Sequence, residues 1–178
     1  MHYNFEKDLA ASEPFVDAVA EILKKYNYHN IQKHDGKKYD IIASFTDTSM
    51  TKNHYTFEVK SDWKSAETGN AFIEFKQLLL DTGVTKSSGI VATQSAFWCH
   101  WVPGHDNYLN RVIILKPEMI MRLVIRQQYQ VKTCNSDNVT QATGYLVPIE
   151  ELAAAGKMHF YEGELLDKMR LNILTPGK

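Results

Sequence analysis

Apolar residues recur at three- and four-residue spacing from Phe15 through Val19, Ile22 and Leu23 to Tyr26, while Asp17, Glu21, Lys24 and Lys25 fall on the other side. The spacing predicts a helix over 12–26 lying on a sheet, with Ser12 able to cap, Glu13 at the positive end and Pro14 in the first turn. Short β-rich runs follow at 29–33, 39–45, 55–60 and 71–75, separated by Asp35-Gly36, the polar stretch 46–54 and the segment 61–70. They predict a strand meander after the first helix. Ser87-Ser88-Gly89-Ile90 opens a short helical stretch, and the run 97–102 alternates as a strand does before Pro103-Gly104 ends it. A further strand is predicted at 110–115, then a helix starting at Pro117 and carrying Met119, Ile120, Leu123 and Val124 to about Gln128. Strands at 129–133 and 144–147 and a short helix from Pro148 complete the pattern, and the tail beyond Gly156 fits no single one. The chain is read as one α/β domain over 1–178, a central mixed β-sheet flanked by helices, without internal repeat or linker.

Charge sharpens this picture only locally. Lys and Arg total 20 against 21 Asp and Glu, and each half of the chain is nearly neutral, so whatever is bound is selected by a local site rather than by a basic coat or tail. No apolar run approaches the roughly 20 residues needed to cross a bilayer, and the polar start Met1-His2-Tyr3-Asn4 lacks the basic and apolar regions of a signal peptide. A cytoplasmic protein without membrane contact is expected. Cys99 and Cys134 match neither a zinc spacing nor a disulfide framework and read as free thiols.

The most pointed chemistry is Asp40 in one predicted strand and Glu58-Val59-Lys60 in the next. Alternation puts Glu58 and Lys60 on one face and Val59 on the other, toward the core, and Asp40 on the neighbouring strand can join them. Two carboxylates and an ammonium on one sheet face suit Mg²⁺, which takes oxygen ligands and binds through one or two carboxylates plus substrate phosphate. The lysine can orient or help deprotonate a metal-bound water and offset charge on the phosphate. A surface ion pair on a sheet explains the same triplet, and Glu74-Phe75-Lys76 repeats it in another β-like run.

Asp40 followed by Glu58-Val59-Lys60, after an N-terminal helix bearing acids, resembles the PD-(D/E)XK nuclease superfamily with its restriction-endonuclease-like core. Phe5-Glu6-Lys7-Asp8-Leu9, Lys60-Ser61-Asp62, the run from Thr68 to Glu74, Ser88-Gly89-Ile90 with Thr93, Ala96 and Trp98, and Gly144-Tyr145-Leu146-Val147-Pro148 are similar to small stand-alone nucleases of that superfamily often found in phage genomes. The resemblance covers about residues 5–150 and leaves 151–178 as a C-terminal extension. Carried over by position, it implies that Asp40 and Glu58 are metal ligands, that Val59 lends its backbone carbonyl, and that Lys60 positions or activates the water. Tyr39 stands where the family's name motif has proline. A further acid from the first helix is implied; Asp17 falls near the matching place, although helical geometry points it away from the apolar stripe. Glu74 is either an acid facing the metal or one half of an ion pair with Lys76.

The expected function is that of a Mg²⁺-dependent DNA endonuclease, with Mn²⁺ substituting and no organic cofactor, acting on branched or Holliday-junction DNA or with weak sequence preference, as a homodimer. The alternatives are a catalytically silent DNA-binding or phage-host interaction module on the same fold, and a metal-dependent RNase. Lys33, Lys37, Lys38, Lys52 and Lys64 lie in or near loops around the triplet, where they can hold a phosphate backbone or simply be solvated. Trp98 and Trp101 are expected on opposite sides of their strand, in the core or with one free to stack on a base. His100 and His105 make a poor zinc pair, and Thr93 and Gln94 fit a helix end as well as a phosphate contact.

Overall fold

The computed structural model describes residues 5–34, 39–62, 64–102, 104, 110–135 and 139–161. In chain order the elements are α1 (Phe5–Lys25), β1 (His29–Lys33), β2 (Ile41–Thr46), β3 (Lys52–Ser61), α2 (Ser65–Thr68), β4 (Asn70–Leu79), β5 (Thr85–Ser87), α3 (Gly89–Ala92), β6 (Phe97–Val102), β7 (Asn110–Leu115), α4 (Pro117–Arg126), β8 (Val131–Asn135), β9 (Thr140–Pro148), α5 (Ile149–Ala155) and β10 (Lys157–Tyr161).

The chain is mixed α/β, and its strands form two sheets. Six strands in the order β1-β2-β3-β6-β7-β10 make the first, with β3 and β6 parallel and every other neighbour antiparallel. The second is antiparallel, in the order β5-β4-β9-β8. The sequence pattern predicts one central sheet, and the meander it predicts breaks after β3, because β4 pairs with β9 rather than with β3.

Alternation on β6 and β7 divides the core in two. Cys99, Trp101 and Val112 face α1, where Phe15, Ala18, Val19, Ile22 and Leu23 meet them together with Ile41, Ala43 and Phe57. Fully burying a large apolar side chain contributes about 1.5–3 kcal/mol, so this stripe fastens α1 across the sheet. Trp98, Val102, Ile113 and Leu115 point the other way, into a second core with Ala71, Ile73, Val147, Ile90, Ile120 and Leu152. One face of the first sheet therefore carries a helix and the other carries the second sheet with α3, α4 and α5.

α1 starts seven residues earlier than the cap at Ser12 predicts, and Pro14 lies inside it. The segment 5–12 is rich in good helix formers, and proline's fixed φ fits a helix even where its missing N–H forfeits one bond. The helix ends where Asn27 turns left-handed (φ 63°). The N–H groups of Asn27 and Tyr28 then donate to the carbonyls of Lys24 and Leu23, a Schellman stop.

Candidate active site

The β2 ladder ends with Ile41 opposite Phe57, while β3 runs on to Ser61 with β6 beside it. Asp40 sits at this step. Its N–H donates to the Phe57 carbonyl (2.9 Å), and its Oδ2 accepts the Val59 N–H (2.6 Å), the next strand group that β2 leaves uncovered. On β3, Val59 packs with the α1 core, so Glu58 and Lys60 project from the opposite face. Glu58 Oε1 and Lys60 Nζ lie 2.5 Å apart; the glutamate side chain is 16% exposed and the lysine 42%, which makes this a site at the edge of solvent.

The charges shape one another. Burial lifts the Asp40 carboxyl above its ordinary pKa, the Val59 N–H opposes that, Glu58 repulsion adds to it, and Lys60 opposes it. Burial pulls Lys60 down, but the Glu58 charge and hydrogen bond, then Asp40 and Glu74, push it above the ordinary lysine value overall. Lys60 is therefore an ammonium at neutral pH, able to orient a water or offset negative charge rather than to accept a proton.

Beside this group opens a pocket of about 240 Å³ lined by Lys60, Asp62, Glu74, Trp98 and His100. Asp62 continues the alternating row of Glu58 and Lys60. Its Oδ2 accepts the Phe72 N–H (2.8 Å) and its Oδ1 the Lys64 N–H (3.1 Å), which ties the start of β4 to the end of β3. His100, 1% exposed, places Nε2 4.0 Å from Asp62 Oδ2, beyond hydrogen-bond reach. Among the described residues neither ring nitrogen of His100, nor Nε1 of Trp98, has a hydrogen-bond partner. Burial holds the His100 imidazole down at about 4 against the opposing pull of Asp62, so it is neutral at pH 7.

Glu74 reaches the pocket through a bulge. Glu74 lies opposite Gly144 and Lys76 opposite Thr143, which leaves Phe75 as the extra residue. Such an insertion re-aims the side chains next to it. Gly89 (φ 50°) lies against this point, where a Cβ would stand 2.8 Å from the Glu74 carbonyl carbon and 2.9 Å from its Cβ.

The structure thus brings together Asp40, Glu58, Val59 and Lys60, with Glu74 acting on Lys60 across the pocket. Among the described residues Glu74 makes no ion pair with Lys76. Asp17 is not brought to the group: its carboxylate pairs with Lys33 on β1, because α1 covers the face of the sheet opposite to Glu58 and Lys60. Trp98 and Trp101 face opposite sides as expected, yet both are 1% exposed and neither is free on the surface. Thr93 serves the helix end, its Oγ1 accepting the Ser95 N–H (3.2 Å). Lys37, Lys38 and His105 lie outside the described residues. Sequence reasoning named Asp62 and Gly89 only inside the blocks that carry the resemblance and His100 only as a poor zinc ligand, and gave none of them a place in this site; for Asp62 the signal was available, since alternation carried two residues past Lys60 places it in the same row.

Asp40 and Glu58 are hard oxygen donors held on adjacent strands, each with one oxygen outside the contacts above, and their mutual repulsion favours a cation between them. Among the described residues no group of three or more His, Cys, Asp or Glu side chains is placed to hold a metal ion. Two carboxylates are a donor set that Mg²⁺, which keeps several waters, would accept, whereas Zn²⁺ and Ca²⁺ take more protein ligands. Compared with protein-family models, with curated proteins and with solved structures, the chain finds no match.

Proposed function

We propose that the chain is a Mg²⁺-dependent phosphodiesterase acting on DNA, an endonuclease with a restriction-endonuclease-like core. The observation that carries this reading is the convergence of Asp40, Glu58 and Lys60 at the step where the β2 ladder stops. A carboxylate pair with a lysine, held by two strands beside a pocket, has little use in a purely structural sheet. A divalent cation held by Asp40 and Glu58, with the Val59 carbonyl as a further oxygen, would polarise the phosphoryl oxygen and lower the pKa of a bound water. The protein's own groups do the rest. Lys60, charged and tethered to Glu58, orients the attacking water and offsets charge building on the phosphate. Asp40 keeps its place through the Val59 N–H, so its remaining oxygen is aimed before substrate arrives.

A near-neutral chain neutralises few phosphates, so duplex of arbitrary sequence should be held weakly at physiological salt. That favours branched or otherwise distorted DNA as substrate and a two-fold homodimer that sets two sites on opposed strands. The 2.5 Å Glu58–Lys60 pair favours a second reading, a silent DNA-binding module in which the lysine permanently takes the cation's place; an RNase on the same scaffold is the third.

The test is cleavage of labelled linear duplex, single strand, four-way junction and RNA with Mg²⁺, Mn²⁺ or EDTA, by the wild type and by Lys60→Ala. Metal-dependent cutting that Lys60→Ala abolishes while DNA is still bound is the expected result. Binding without cutting in either metal identifies the silent module, and cutting restricted to RNA identifies the ribonuclease.

A further inference from the structure

Besides Lys60 and Glu74, the pocket beside Lys60 is lined by groups that the phosphodiesterase reading does not use. It is lined by Asp62 and Glu74 as acceptors, Lys60 and Ser88 as donors, and the buried aromatic residues Trp98 and His100. Two carboxylates against one ammonium make it a poor seat for phosphate. Two of its lining residues, His100 and Trp98, carry both ring nitrogens and the indole N–H buried without a partner among the described residues, a condition that costs free energy unless a ligand or water satisfies it. A neutral imidazole offers one donor and one acceptor, the pairing that a nucleobase edge presents. At about 240 Å³ the space is smaller than the 300–1,000 Å³ typical of drug-sized sites, and fits one heterocycle rather than a base pair.

We propose that this pocket receives a single unpaired nucleobase, read by His100 and flanked by Trp98, next to the phosphate held at Asp40, Glu58 and Lys60. The inference rests on the nuclease reading for the neighbouring phosphate, but the base site stands or falls by its own test. Extruding a base from intact duplex costs a few kcal/mol and costs least where the base is already unpaired. The pocket therefore selects branch points, gaps, flaps or single strands.

The test uses the full chain with Mg²⁺, titrated to millimolar with the four deoxynucleoside 5′-monophosphates, which hold no diester to cleave, and with 2-deoxyribose 5-phosphate as the base-free control, while the Trp98 indole N–H and His100 ring nitrogens are followed by NMR. At least one nucleotide should bind about tenfold or more tightly than the base-free control and move both signals. His100→Leu, which replaces unpaired polar atoms by apolar ones of similar size, should keep the melting temperature and abolish that preference. If that variant does not fold, the wild-type NMR signals decide alone. Equal binding of the base-free control, no binding at millimolar ligand, or nucleotide binding that leaves both signals unmoved overturns the proposal. Lys60-dependent cleavage without base preference would remove the pocket and keep the nuclease; base binding without any cleavage would do the reverse.

Discussion

The Asp40 carboxylate accepts the Val59 N–H at 2.6 Å and, on the next strand, stands beside the Glu58 carboxylate, which repels it. One side chain thus completes a ladder and holds a charge that its surroundings disfavour. Asp40→Asn keeps an acceptor for Val59 and removes the repulsion, so it should stabilise the fold by roughly 0.5–2 kcal/mol at pH 7 while cutting cleavage by about a hundredfold or more. The sign follows from the raised carboxyl. Between the ordinary value of 3.8 and the higher folded one, the native state keeps a proton that the unfolded chain has released. Stability then falls as pH rises through that window and is level above it. Urea denaturation across the window should show this fall in the wild type and its absence in Asp40→Asn; a less stable variant would contradict the argument.

Lys60 occupies Glu58 as a competing cation would. Lys60→Ala should therefore bind Mg²⁺ severalfold more tightly in a calorimetric titration, even as cleavage drops by about a hundredfold. Weaker Mg²⁺ binding would mean that Lys60 helps to build the cation site instead.

The same ion pair balances the site without metal. EDTA should abolish cleavage and shift the melting temperature by no more than about 2 °C, unlike zinc-nucleated domains, whose folding energy is the metal's. A large drop in a thermal scan would show that the cation is structural.

At Gly89 a side chain has nowhere to go. Its φ of 50° and the approach to the Glu74 main chain mean that Gly89→Ala carries both a left-handed strain and a clash with backbone, for a loss of roughly 1–3 kcal/mol. The displaced atoms belong to the bulge that aims Glu74, so cleavage should fall in the same variant even at temperatures where it remains folded. Full activity in the folded variant would detach Glu74 from the site.

His100 gives a pH signature of opposite sign to that of Asp40. Its native value is held down at about 4 against an ordinary 6.5, so on acidification the unfolded chain takes up a proton first. Stability is lost as pH falls from about 6.5 toward 4, by up to about 3 kcal/mol, and no further below. His100→Leu should flatten that slope in denaturant titrations; an unchanged slope would assign it to other groups.

Much of this site could be read from residue order because strands have a period of two. Glu58 and Lys60 on one face, Val59 on the other, and Asp40 one strand away follow from alternation alone, and the structure agrees on each. The second sheet could not be read that way. β4 looks like any half-buried strand, and its partner β9 lies about seventy residues later, chosen by side-chain fit and a bulge that no local pattern encodes. The pocket is hidden for the same reason, since Lys60 meets His100 only through a parallel pairing across forty residues. Asp17 lies apart from the group on a question of sides: a helix can cover either face of a sheet, and α1, whose Asp17 pairs with Lys33, covers the one away from Glu58.

The two sheets are also interleaved along the chain: β1 to β3 belong to the first, β4 and β5 to the second, β6 and β7 to the first, β8 and β9 to the second, and β10 returns to the first. No single cut separates the strands of one sheet from those of the other. α1 can begin to settle on Ile41 and Phe57 early, but its seat is complete only when Trp101 and Val112 arrive, after the first hairpin of the other sheet has been made. The molecule cannot be divided into two independently folding halves, and it should melt as one cooperative unit, neither sheet outlasting the other.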